Sequence, residues 1–369
     1  MRIVKMVKIP EMELDISDVD LPTKYQHIEI PDKIRKELLY WFGESYTDYD
    51  SRVSSYNKLF DFIAKKHIDW MIAPNTASIA SHFIQDLKSF TNQQLAFMLC
   101  HTGYIPEVYK ADSSQETLYS KLVEVLVNEW AIRMGFVESS LPTQKSSKED
   151  VTISDGKNII VCDAKSYRLG RSQAAPNVKD ALKKGDITKW LGSYSIEQYN
   201  RVGGLVAFPS QHDWKSGSDF YLYLTDKNSP ITMLFYEHMA FMLLNDMDKQ
   251  YLLYFYENHH DIFPTEEVNK SGSRRFYFDK LEKHLLNAGK KRWNEFSLVA
   301  DFIVSEQAKF TIDSLQDHLE REKREALSWA NSLSAEEAKR QLADIKYQLG
   351  NQDLIRQKDN IYKFRRLFK

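Results

Sequence analysis

Asp150-Val151-Thr152-Ile153-Ser154-Asp155-Gly156-Lys157-Asn158-Ile159-Ile160-Val161-Cys162-Asp163-Ala164-Lys165 decides how this chain is read. Two apolar runs flank an Asp-Gly pair, carboxylates stand toward both outer ends, and a lysine comes last. The pair predicts a β-hairpin with a two-residue type I′ turn, in which Asp155 and Gly156 both take positive φ. Ser154 then faces Lys157, Ile153 faces Asn158, and counting outward puts Asp150 opposite Val161. Side chains alternate along a strand, so Val161, Asp163 and Lys165 share a face and Asp150 joins them. Asp150 and Asp163 become diagonal cross-strand neighbours, roughly 7–8 Å apart at the backbone. A one-residue slip of register would send Asp150 to the other face.

Two carboxylates on one face repel unless a cation lies between them. Magnesium suits such a pair, because it prefers oxygen ligands and keeps several waters, one of which can be activated to attack phosphorus. Lys165 projects into the same space and can orient that water or balance charge on the phosphorus. An ordinary hairpin with a solvated Asp and Lys carries the same three residues, so the context matters. The far face of the second strand (Ile160, Cys162, Ala164) is apolar, as expected of a central strand whose end carries a site. The segment after it holds Lys165, Arg168, Arg171, Lys179, Lys183, Lys184 and Lys189 against Asp180 and Asp186. With 50 Lys and Arg against 52 Asp and Glu in the whole chain, this basic stretch stands out. It fits a polyanionic partner, or else a solvated face.

The composition excludes several classes. At 369 residues and 43% hydrophobic, the chain can bury a full core. Cys100 and Cys162 are too few for a disulfide framework and too far apart for a metal knuckle, which fits a reducing cytoplasm. The first residues lack the apolar core of a signal peptide and no stretch approaches a membrane span, so no membrane partner is expected. No G-x-x-x-x-G-K-[ST] loop occurs, and no nucleotide cofactor is expected.

The residues around the hairpin carry a resemblance. Thr102-Gly103-Tyr104-Ile105-Pro106-Glu107-Val108-Tyr109-Lys110, Ser113 to Lys121, Asp163-Ala164-Lys165-Ser166-Tyr167-Arg168-Leu169-Gly170-Arg171 and Leu234-Phe235-Tyr236-Glu237-His238-Met239-Ala240 resemble, in order, segments of the HindIII family of type II restriction endonucleases, within the PD-(D/E)xK nucleases. The resemblance implies an α/β fold, a mixed central sheet flanked by helices, with an N-terminal extension and a helical C-terminal region. It implies magnesium, replaceable by manganese, held at Asp150, Asp163 and Ala164, with Asp150, Asp163, Lys165 and Glu116 as catalytic residues. It further implies a homodimer acting on double-stranded palindromic DNA, AAGCTT being the expected target, and a partner methyltransferase. Glu149 stands where a small residue or proline is expected. A repair or recombination nuclease, or a non-catalytic DNA-binding protein, are the rival readings.

Arg168, Arg171, Gln173 and Asn177 are candidate DNA contacts, since Arg pairs with guanine and Asn or Gln with adenine, and Lys179, Lys183 and Lys184 suit phosphates. Glu116 has two readings, a residue near the metal or the last member of a capping box with Ser113. Glu237-His238, inside the apolar helical run expected over Met233 to Leu244, reads as a buried hydrogen-bonded pair, and His259-His260-Asp261 lacks a third ligand placed by spacing.

Three regions are expected: an N-terminal extension over 1–90, a nuclease core over 91–250, and a mainly helical region over 251–369. Helices are predicted over Asp32 to Phe42, Ser51 to Lys66, Gln94 to His101, Ser113 to Met134, Ile312 to Asn331 and from Ser334 toward Leu349. Strands are predicted over Gly204 to Phe208 and Phe220 to Leu224.

Overall fold

The structure, a computed structural model, describes residues 30–110, 113–142, 148–169, 182–210, 224, 230–264, 270–286 and 293–365. Of the described residues, those up to 311 form one compact unit and those from 312 onward belong to a second.

The hairpin of β2 (Val151–Ser154) and β3 (Asn158–Ala164) is the edge of a four-stranded mixed sheet. β3 runs parallel to β5 (Asn200–Phe208), and β5 parallel to β6 (Ile231–Phe235), in the order β2-β3-β5-β6. The parallel strands are buried on both faces along most of their length, which is why they read as unbroken apolar runs. β6 is a correction: Met233 to Phe235, expected to open a helix, end a strand, and the helix begins at Tyr236. A run apolar on every side does not reveal its period. Gly203 and Gly204 let neighbours close on β5, since a Cβ there would collide with the Pro230 carbonyl or with Ile187. A small parallel pair, β1 (Tyr104–Ile105) with β4 (Tyr167–Arg168), lies just past the end of β3.

The predicted helices α1 (Asp32–Phe42), α2 (Tyr49–Lys66), α4 (Asn92–His101) and α5 (Ser114–Arg133) form with at most small shifts of boundary, and α3 (Thr76–Leu87) forms where no helix was expected. Gly135, at φ 97°, takes the left-handed backbone that stops α5. α5 buries half of its residues and touches α3, α2 and the hairpin. After α6 (Lys184–Gly192) and β6, α7 (Tyr236–Leu244) packs on α4. Trp130 Nε1 donates to the Met239 carbonyl at 3.0 Å, locking α5 to α7. Helices α8 (Lys249–Glu257), α9 (His259–Ile262) and α10 (Lys270–Leu281) follow.

Two long helices close the chain, α11 (Trp293–Ser332) and α12 (Ala335–Arg365). The capping box between them forms as expected: Ser334 N–H donates to Glu337 at 2.9 Å and Glu337 N–H to Ser334 Oγ at 3.4 Å. The helix continues past Gly350 to Arg365. Residues 220–223 of the other predicted strand lie outside the described residues.

Candidate active site

The turn of the hairpin is longer than expected. Ser154 faces Ile159 rather than Lys157, so the register is displaced by two residues. Gly156 has positive φ (90°), but Asp155 does not. Its carboxylate instead accepts the backbone N–H of Asn158 at 2.8 Å and of Lys157 at 3.1 Å, and pairs with Lys249 Nζ at 2.8 Å. An Asx turn has displaced the type I′ turn. An even displacement preserves the facing of side chains, so the strands keep their inward and outward faces.

Asp150 reaches the site by a different device. Its backbone N–H donates to the Cys162 carbonyl at 3.0 Å, while the next residue, Val151, faces the same Cys162. Two residues therefore oppose one, a bulge that bends the strand and re-aims the side chain. The Asp150 carboxylate accepts the Ala164 N–H at 2.9 Å. Asp150 and Asp163 are thus brought together, close enough for Asp163 to act on the Asp150 carboxyl.

Asp163 is 2% exposed. Its Oδ1 meets Lys165 Nζ at 2.6 Å, and its Oδ2 is buried without a hydrogen bond. Burial, then the nearby charge of Glu124, then Asp163 itself push the Asp150 carboxyl far above the carboxylate range. The Lys165 backbone is fixed on both sides, its N–H donating to the Ala207 carbonyl at 2.8 Å and its carbonyl accepting from Tyr236 O–H at 2.7 Å.

Glu124 is the residue that sequence reasoning missed. It sits on α5 beside the aspartates, pairs with Lys121 at 2.5 Å, and has its own pKa raised by burial and by Asp163. Glu116 lies two turns earlier. Its N–H meets Ser113 Oγ at 3.5 Å, and its carboxylate lies 3.4 Å from Arg168 Nε. The spacing of Glu116, Ser120 and Glu124 at i, i+4 and i+8, which places three polar residues along one face of α5, was the available signal.

The unexpected Glu149 is accommodated: buried, it accepts from Thr152 Oγ1 at 2.8 Å and from Tyr194 O–H. Lys183 and Lys184 stand at the start of α6, and Arg171, Gln173, Asn177 and Lys179 lie outside the described residues. Arg168 is held by Glu107 and Glu116. The buried Glu237 and His238 do not form a pair with each other in the way expected: His238 Nδ1 accepts from Phe235 N–H at 3.2 Å, and Glu237 lies beside Ser210. His259 bonds the Ile231 carbonyl at 3.2 Å.

Three carboxylates share this pocket with two lysines. Among the described residues no group of three His, Cys, Asp or Glu is already spaced as a set of ligands. The donors are nevertheless those a hard cation takes, and the bare buried Oδ2 of Asp163 with the strained ionisation of Asp150 fits one at that point. Among the described residues no helix is long and apolar enough to cross a membrane.

Comparison with known proteins agrees with the geometry. The family model of the HindIII restriction endonuclease matches residues 69–357. The type II restriction enzyme HindIII of Haemophilus influenzae is 22% identical over 268 residues, covering 66% of this chain and 85% of the relative. The chain belongs to the HindIII family and is a type II restriction endonuclease, a nuclease of the hydrolase class.

Proposed function

We propose that this chain is a magnesium-dependent, site-specific deoxyribonuclease that cuts a double-stranded palindrome and leaves 5′-phosphate ends. The observation that carries the reading is the pairing of Asp150 with Asp163, whose buried Oδ2 has no hydrogen bond, beside Lys165 at 2.6 Å. Asp150 and Asp163 would hold the ion, with Ala164 at the same point of the strand, and Glu124 near enough to act on them electrically. Glu116, engaged by Arg168, is the weaker candidate for that role. Magnesium supplies a Lewis acid and an activated water, and manganese can replace it. Lys165, oriented by Asp163 and held at its backbone by Tyr236, places a positive charge where the phosphoryl group gains negative charge. Burial of Asp163 keeps bulk water from weakening that field.

A palindrome read symmetrically calls for a two-fold dimer, each subunit cutting one strand. A methyltransferase of the same specificity would protect the host, and both proteins would act in the cytoplasm. The target proposed is AAGCTT, cut to leave four-base 5′ ends, on the likeness of the segment after Lys165. Plasmid DNA with mapped AAGCTT sites, incubated with protein and magnesium, should give discrete fragments whose sequenced ends match. Discrete fragments ending elsewhere overturn the target alone. A smear of random ends overturns site-specific cleavage.

A further inference from the structure

Arg168 was expected to touch DNA, and the structure gives it other partners. It lies on β4, five residues past Asp163, with its side chain 16% exposed. Its guanidinium stands between two carboxylates, Glu116 at 3.4 Å and Glu107 at 3.6 Å. Two further contacts place this pair in a pattern. Ser120 Oγ and Ser166 Oγ are 2.9 Å apart, and Glu124 lies near Asp163 and Asp150, close enough for Asp163 to act on Glu124 and Glu124 on Asp150.

Glu116, Ser120 and Glu124 therefore meet Arg168, Ser166 and Asp163 in antiparallel order. Four residues of helix advance about 6 Å, and the two residues from Ser166 to Arg168 advance about 6.6 Å if extended, so the outer step matches. The inner step, from Ser166 to Asp163, spans three residues against the same four of helix, so one face of α5 follows the catalytic segment without strict periodicity. The step nearest the metal site consists of carboxylates, which repel. Among the described residues, the charge attraction across the seam comes from the far step, Arg168 with Glu116 and Glu107. β1 strengthens it, since Ile105 pairs with Arg168 and Tyr167 N–H donates to the Gly103 carbonyl at 2.9 Å.

We propose that Arg168 is a positioning residue of the active site and not a DNA contact: its ion pairs hold α5 in register along the catalytic segment, and so set where Glu124 meets Asp150 and Asp163. This rests on the reading of that cluster as the nuclease centre. Arg168 Nε and Nη2 form no hydrogen bonds, so the charge matters more than the planar fork. A lysine can therefore serve, which a bidentate base contact would not allow.

The test uses the full chain with Arg168→Ala, Arg168→Lys and Glu116→Gln. Manganese affinity is measured by calorimetry, binding of a duplex without metal is measured across a salt series, and cleavage is measured in magnesium. Arg168→Ala should weaken manganese binding and lower kcat by about 10–100-fold, with KM and the salt slope unchanged. Arg168→Lys should restore both to within a few-fold. Glu116→Gln, which leaves Arg168 in place, should lower both several-fold and carries the test should Arg168→Ala fail to fold. A salt slope shallower by about one phosphate contact, with manganese affinity intact, overturns the proposal in favour of a DNA contact. Unchanged behaviour in both Arg168→Ala and Glu116→Gln overturns it outright. Should the parent protein bind manganese through Arg168 yet never cut DNA, the nuclease reading fails while the positioning role stands.

Discussion

Among the places where the described residues bury charge, two do so in opposite ways. Arg52 and Glu306, each with a side chain about 1% exposed, form a forked pair at 2.6 and 2.8 Å. Tyr56 O–H donates to Glu306 at 2.7 Å, and Arg52 Nη1 donates to the Tyr46 carbonyl at 3.0 Å. One positive charge answers one negative charge. At the hairpin, Asp163 has Lys165 and Glu124 has Lys121, but Asp150 has a backbone N–H and, among the described residues, no ion pair. A balanced buried pair joins α2 to α11 and needs nothing further, whereas an unbalanced cluster is costly unless a ligand completes it. The imbalance, more than the burial, marks the active site.

The contrast breaks most visibly at Asp163. Asp163→Asn should lower cleavage by on the order of 10³-fold, as read from initial rates on plasmid DNA. Its melting temperature without metal should stay equal or rise, because one of three crowded charges is gone. A clear fall in that melting temperature would show Asp163 to be a structural partner like Glu306.

At the balanced pair the expectation reverses. Arg52→Ala should cost about 3–5 kcal/mol in urea unfolding, since Glu306 is left buried and unpaired. Replacing both partners with apolar residues of similar size, Arg52→Met with Glu306→Leu, should recover most of that loss. Equal destabilisation by the double replacement would mean that the pair contributes more than mutual compensation.

Glu124→Gln tests how far the cluster extends. A fall of about 10–100-fold in kcat is expected, smaller than at Asp163 because Glu124 already has Lys121. No change in cleavage would confine the site to Asp150, Asp163 and Lys165.

The Asp155–Lys249 pair is the intermediate case, half in solvent, and its effect should be the smallest. Burial opposes ionisation of Asp155, but the Lys249 ammonium and the N–H groups of Asn158 and Lys157 outweigh it and lower the pKa. A lowered folded pKa stabilises the protein above the ordinary carboxylate value, and the gain disappears as pH falls through the folded one. Lys249→Met should therefore cost about 1 kcal/mol near neutral pH and progressively less in acid. A loss that does not shrink in acid would assign the effect to packing.

Much of this was legible in the sequence, and the gaps have physical causes. The alternation of β-branched residues revealed the hairpin, and the facing of its side chains survived a wrong turn type because the displacement was even. The bulge at Asp150 was hidden, since it arises from how β2 begins and not from a residue type. Glu124 was overlooked because Ser113 offered Glu116 a local partner, and Lys121 offers Glu124 one on the same helix, while the aspartates it adjoins lie on another element. β6 was taken for helix because strands buried on both faces lose the alternation that identifies them.

The central claim is that a divalent cation completes the unbalanced cluster. Cleavage of a plasmid should be followed after exhaustive chelation and again as magnesium, manganese or calcium is titrated back. The account predicts no cutting in chelator, recovery with magnesium or manganese, and little with calcium, whose larger and looser coordination misplaces the reacting groups. Undiminished cutting in chelator would contradict it.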